Sequence, residues 1–234
     1  MLILAFETSA KAASVALLNE QQLIGEYYQN NGQTHSRTLM KMAEDLLGNC
    51  GYRAEDVTAV ACSEGPGSFT GVRIGVAAAK GFAWGRELPC VGVSTLEAMA
   101  YQALSFEGLI CCAMDARREQ VYHALFENCG GKLSRLHEDC AISIEELEKE
   151  LKKYEKPKIM VGDGAKLCYN SIGKMMHSCV CTPEHLRMQR ASGVALAARE
   201  KLLAEAEFDG AKLVPNYLRL SQAERERLQK TEGV

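Results

Sequence analysis

The chain has 234 residues, 47% hydrophobic and 24% charged, which is long enough for one large domain or two smaller lobes with buried cores. Its 27 basic and 30 acidic residues leave a net charge of −3, which excludes a protein that binds nucleic acid alone through a broad basic footprint but leaves room for a local basic patch. Residues 1–6 are cut short as an apolar run by Glu7, and no later run reaches the roughly 18 residues of a membrane helix, so the chain reads as cytoplasmic, without an export signal or membrane contact.

Residues 2–6 and 14–18 are apolar runs of strand length on either side of the polar turn Glu7-Thr8-Ser9-Ala10-Lys11, and residues 22–28 follow as a third strand. Asn30-Asn31-Gly32 breaks the pattern. Thr34 is expected to cap a helix in which Leu39, Met42, Ala43, Leu46 and Leu47 recur at helical spacing up to Gly48. A buried strand over residues 57–62 leads into Gly65-Pro66-Gly67-Ser68-Phe69-Thr70-Gly71, and residues 72–84 read as a helix capped by Ser68 or Thr70. Residues 88–93 form another strand, with Ser94 capping a helix to about Leu104.

The opening pattern then returns. Residues 109–114, the turn Asp115-Ala116-Arg117-Arg118-Glu119 and residues 120–126 repeat the first hairpin, with Asp115 in the place of Glu7. Strands are expected at 132–136, 158–161 and 179–181. Helices are expected from Ser143 towards Tyr154, after Gly162-Asp163-Gly164, and from a Ser192 cap to Leu203. Residues 223–230 form a mixed-charge segment, helical or frayed. We therefore expect an α/β protein of two similar lobes, residues 1–105 and a smaller, more divergent 106–234, each a mixed sheet flanked by helices.

The ten cysteines form no C-x-x-C pair, which favours reduced, buried thiols. The five histidines show neither H-E-x-x-H nor H-x-x-x-H spacing, so no metal site of its own is expected. The glycine loop before a helix admits two readings. Its backbone amides could cradle a phosphate, or its glycines could serve the turn alone. Gly71, Gly75, Ala79 and Ala83 recur every four residues and leave one helix face nearly bare, for a partner helix or for the protein's own sheet.

Two lobes that each open with three strands and an acidic turn describe the actin/Hsp70/sugar-kinase fold, with duplicated ribonuclease H-like lobes. The chain also resembles the TsaB (YeaZ) family of bacterial tRNA threonylcarbamoyladenosine biosynthesis proteins. The resemblance is carried by residues 4–9 and 14–17, the segment 65–75 (G-P-G-S-F-T-G-V-R-I-G), residues 92–96 and 115–122, and Pro215-Asn216-Tyr217-Leu218-Arg219. It implies a non-catalytic subunit that pairs with a TsaD-like transferase, works with a TsaE-like ATPase on tRNA, and can pair with itself. It also implies association through first-lobe helices, which makes Leu39, Met40, Ala43, Leu47, Gly71, Gly75, Ala79 and Ala83 the expected partner interface, set by the loop Gly65, Pro66, Gly67, Ser68, Phe69 and Thr70.

The resemblance carries a peptidase label as well. TsaD-like proteins hold metal through a His-x-x-x-His pair, whereas this chain has only His35 in His35-Ser36-Arg37-Thr38-Leu39. ATP and metal are therefore expected on partner subunits, and a metal-dependent peptidase or an autonomous ATP-binding protein is the alternative. Glu7, Asp115 and Arg117 are the residues expected nearest a nucleotide, with Arg118 beside them.

Overall fold

The computed structural model describes residues 1–204 and 208–219. The segment 223–230 lies outside the described residues. Strands β1 (Leu2–Glu7), β2 (Ala13–Asn19) and β3 (Leu23–Gln29) form an antiparallel meander, and β4 (Ala59–Gly65) and β5 (Cys90–Ser94) extend it in parallel with β1, giving the order β3-β2-β1-β4-β5. The second sheet holds β6 (Gly108–Asp115), β7 (Gln120–Cys129), β8 (Lys132–Ser143), β9 (Lys158–Val161) and β10 (Cys179–Cys181) in the order β10-β9-β6-β7-β8. Read from the meander side, the two orders are the same, with β6 in the place of β1. The expected duplication is thus present in the strand connectivity.

Strand β1 is buried on both faces, so its alternating side chains enter two cores. Leu2, Leu4 and Phe6 pack under α1 (His35–Asn49) and α2 (Phe69–Trp84). Ile3 and Ala5 pack against α3 (Thr95–Gln102) and α7 (Ala191–Leu203). In the second lobe, α4 (Ile144–Leu151) and α5 (Ala165–Ser171) cover one face, while Leu96, Met99 and Ala100 of α3 cover the other. Helix α3 is thereby shared: Ala98 belongs to the first core, and its neighbours belong to the second. A short α6 (Glu184–Arg187) precedes α7.

Five expectations are corrected. The lobes do not divide cleanly at 105/106, because α7 and residues 208–219 return to pack on the first lobe. Strand β8 runs to Ser143 instead of stopping at Leu136. Its polar residues Arg135, His137 and Asp139 hide the strand pattern because they take partners in Asp139, Glu150 and Ser94. Helix α7 starts at Ala191 with Arg190 in the cap position, not at a Ser192 cap. Its first amides are satisfied from the first lobe, Ala191 N donating to Ser14 Oγ at 2.7 Å and Ser192 N to Glu26 Oε1 at 3.0 Å. Thr34 stands in the cap position of α1 but makes no side-chain cap bond.

The fifth correction concerns the small-residue row. Gly71, Gly75, Ala79 and Ala83 face inward and are buried, as are Leu39, Ala43 and Leu47. A Cβ on Gly71 would collide with the Thr8 carbonyl, and one on Gly75 would stand 2.5 Å from Thr8 Oγ1. The bare face therefore lets α2 lie against the end of β1, and it is not open to a partner. Of the expected interface set, only Met40 is exposed, at 46%. Overpacking at this crossing costs up to about 3 kcal/mol for modest side chains. Gly71→Val should thus lower the unfolding free energy by about that amount in urea titration, and Gly75→Leu should unfold the chain in circular dichroism.

Candidate functional site: the cleft between the lobes

The site is built where the ends of β1 and β4 meet the start of α2. Beyond β4, Gly65 adopts φ 119°, and its bond to Pro66 is cis. Ser68 then caps α2, its Oγ accepting from Gly71 N at 3.3 Å. This loop lies directly on the first turn. Ser68 N donates to Ser9 O at 2.6 Å, Thr8 Oγ1 donates to Gly71 O at 2.8 Å, and a Cβ on Gly67 would strike Ser9 O. The amides of Ser68 and Gly71 are thus taken by the chain itself, while those of Phe69 and Thr70, the first two of α2, have no acceptor among the described residues.

Glu7 lies beneath this contact and is fully buried, its Oε1 accepting from Ser9 N at 2.6 Å. Burial raises its carboxyl pKa above the ordinary carboxylate value, opposed in part by hydrogen bonding from Ser9 and Ser63. The expectation that Glu7 sits beside a nucleotide is therefore corrected: its carboxylate points into the protein and does not line the cleft. Asp115 and Arg117 do line it, in a cleft of about 690 Å³ between the lobes. Asp115 Oδ1 accepts from Arg117 N at 2.7 Å and steadies the β6–β7 turn. Arg117, Arg118 and Glu119 all take left-handed φ values of 63°, 56° and 57°. For residues with side chains this conformation is uncommon, so the turn is strained.

Asp163, from the Gly162-Asp163-Gly164 turn, also lines the cleft. Its Oδ1 accepts from Gln189 Nε2 at 2.8 Å, and burial raises its pKa. His35 directs Nε2 to Ala10 O at 2.9 Å. Among the described residues no three or more His, Cys, Asp or Glu side chains gather in a way that could hold a metal ion.

One wall of the cleft was not anticipated. Residues 208–219 run back along the first lobe as a strap. Leu213 is buried there, Lys80 Nζ donates to the carbonyls of Ala211 and Leu213, and Asn216 N donates to Glu64 O at 2.6 Å. The Tyr217 ring stacks on Phe69 at 4.5 Å. Arg73 places its guanidinium 3.8 Å over Phe69 and donates from Nε to Tyr217 Oη at 2.7 Å. Arg219 crosses to the other lobe and donates to Ala116 O at 2.8 Å. The only signal in the sequence is the Pro-Asn-Tyr-Leu-Arg run itself, an aromatic and a cation beyond the last helix.

The buried Glu7 gives a pH test. Its folded-state pKa lies above the unfolded value, so the folded state keeps a proton that the unfolded chain has lost. That contribution is complete below the unfolded pKa and is lost as pH rises through the folded one. Glu7→Gln should therefore be more stable than the parent near pH 7. The gap should close as pH falls below the folded pKa, as read by urea titration across pH.

A family model described as "TsaD: tRNA N6-adenosine threonylcarbamoyltransferase" matches residues 23–227. The chain is 34% identical over 227 residues to the tRNA threonylcarbamoyladenosine biosynthesis protein TsaB of Bacillus subtilis, covering 96% of both chains. Among solved structures it is similar to YeaZ from Pseudomonas aeruginosa, with a TM-score of 0.79 and 26% identity over 93% of this chain and 99% of that one. Component A of the (R)-2-hydroxyglutaryl-CoA dehydratase of Acidaminococcus fermentans shares the fold alone, at 12% identity and a TM-score of 0.50 over 87% and 99% of the two chains. The duplicated five-stranded sheets are thus those of an actin/Hsp70/sugar-kinase fold, and the chain belongs to the TsaB (YeaZ) family.

Proposed function

We propose that this chain is a non-catalytic partner subunit in the synthesis of threonylcarbamoyladenosine in tRNA, docking by its first lobe on a TsaD-like transferase. A TsaE-like ATPase and the tRNA complete the assembly in the cytoplasm, and ATP and metal are held by the partner subunits. The observation that carries this reading is the closure of the glycine loop on Thr8 and Ser9. It occupies the amide of Ser68 and turns Glu7 into the core, away from any cation in the cleft. His35, committed to Ala10 O, supports the same reading against a metal-dependent peptidase.

The docking surface is the outer side of α1 and α2, not the buried small-residue row. It carries Met40, half-buried Ile74, exposed Ala77 and Gly81, and Trp84 at 85% exposure. An exposed tryptophan beside small residues on one helix face fits a helical partner, since aromatic anchors dominate such contacts. Co-expression with the transferase should therefore yield a stable complex on size exclusion. Ala77→Arg should weaken that complex by at least a hundredfold, with the monomer's melting temperature unchanged. Failure of the parent chain to associate would sink the reading. Chelator-sensitive cleavage of a peptide by the purified chain with added Zn²⁺ would favour the peptidase instead.

A further inference from the structure

We propose that the mouth of the interlobe cleft is an RNA-contact site that grips unpaired nucleotides. Lys11, Arg117 and Arg219 would hold phosphates, and the Phe69–Tyr217 stack would serve as a base platform. The proposal rests on the reading of the chain as a subunit that works on tRNA, and it names where this chain would touch the RNA.

The first ground is the distribution of charge. The protein is acidic overall, at −3. Elsewhere among the described residues eleven cations pair with a carboxylate, as Arg135 does with Asp139, Lys149 with Glu145 and Arg190 with Glu26, while ten, Arg86, Lys132, Lys166 and Lys174 among them, stand scattered without one. Lys11, Arg117 and Arg219 have no carboxylate partner among the described residues, yet three distant parts of the chain bring them to one cleft. Lys11 comes from the β1–β2 turn, Arg117 from the strained β6–β7 turn and Arg219 from the strap. Unpaired cations gathered from separate segments on an acidic protein are the footprint expected for a polyanion.

The second ground is what the cleft lacks. Ser68 N and Gly71 N are bonded within the chain, and the Glu7 carboxylate, which could hold a metal, is buried. A triphosphate thus lacks the Glu7 carboxylate for its metal, whereas cations spread around the rim of a cleft of about 690 Å³ suit phosphates strung along a backbone. Asp115 and Asp163 also line the cleft, each accepting a hydrogen bond from the chain, and they discourage phosphate there. The third ground is the aromatic pair. Tyr217 is 39% exposed in the cleft and is held rigid by Phe69 and by Arg73 on its hydroxyl, so it offers ring surface at little entropic cost. Bases stack on such rings only when they are out of a duplex, which selects unpaired RNA.

The test is fluorescence anisotropy of the full chain with a labelled RNA hairpin that carries an unpaired, adenine-containing loop. A blunt RNA duplex of the same length and unlabelled ATP are the comparison arms. The hairpin should bind more tightly than the duplex, ATP should not displace it, and affinity should fall with salt. Lys11→Gln and Arg117→Asn should each make the log–log salt slope shallower by about 0.7. Asn is chosen because it tolerates the left-handed backbone at Arg117. Tyr217→Leu should weaken hairpin binding about tenfold or more with the slope unchanged. If that variant loosens the strap in circular dichroism, the two charge variants on other segments still decide the matter. Equal binding of hairpin and duplex, displacement by ATP, unchanged slopes in both charge variants, or no RNA binding by the chain would each overturn the proposal. The accessory role would survive any of these outcomes and would fall only if the chain failed to co-purify with the transferase.

Discussion

The contact on which the rest of this molecule depends is the seating of the glycine loop on Thr8 and Ser9. Thr8 Oγ1 donates to Gly71 O, Ser68 N donates to Ser9 O, and glycines at 67, 71 and 75 remove the side chains that would hold the two backbones apart. Three consequences follow from one approach distance. Helix α2 lies close enough to β1 for Val72, Val76 and Ala79 to share a core with Leu4 and Phe6. Glu7 is covered and kept from water. Phe69, on the first turn of α2, is aimed where the strap can stack Tyr217 upon it. The glycine loop is here a packing joint.

The second lobe uses the same device with different residues. Gly162 and Gly164 sit against the Ala113 carbonyl, with Gly164 N donating to it at 3.1 Å, just as the first loop sits on the end of β1. What differs is the hairpin turn. The first turn is small and buried at Thr8 and Ser9, whereas the second carries Arg117 and Arg118 in left-handed conformation. Holding such residues costs of order 1 kcal/mol or more each. Asp115 below and Arg219 above supply hydrogen bonds that keep the turn in place. The turn thus places Arg117 in the cleft, with Arg118 outside its lining.

How much of this was legible in the sequence follows from how local each cause is. The two meanders could be read because their strands alternate apolar runs with tight turns, and Ser68, Ser94 and Ser143 were legible as caps because a cap is a local bond. The cap of α7 was not, since its acceptors, Ser14 and Glu26, lie more than a hundred residues away. The small-residue row was visible as a pattern, but its direction was not: period alone cannot say whether a bare face meets a sheet or a partner. Burial of Glu7 depended on the glycine loop lying over it, a contact between segments some sixty residues apart. The strap's motif was noticed through its resemblance, but a run without periodicity carries no sign of what it packs against.

The far side of the molecule decides how freely the cleft can change shape. Helix α3 belongs to both cores, and Gly193 lets α7 cross it against the Ala98 carbonyl. Ser94 Oγ donates to Asp139 at 2.5 Å, and Asp139 also pairs with Arg135 at 2.6 Å, while Lys201 reaches Glu97 at 3.2 Å. These groups are half-buried or better, so breaking one partner away leaves a charge or hydroxyl in a poorly solvated place, which costs more than the pair contributes when intact. Of these, the Ser94–Asp139 bond joins the first sheet to the second, and a large rotation of one lobe on the other must break it together with the shared packing of α3. Influence of a docked partner on the cleft would then travel by the shorter route, along α2. A helix packed on the outer face near Ile74 and Ala77 lies within a turn of Arg73, and Arg73 holds both Phe69 and the Tyr217 hydroxyl. On the proposed docking, the outer face of α2 and the cleft wall would be joined by that one guanidinium.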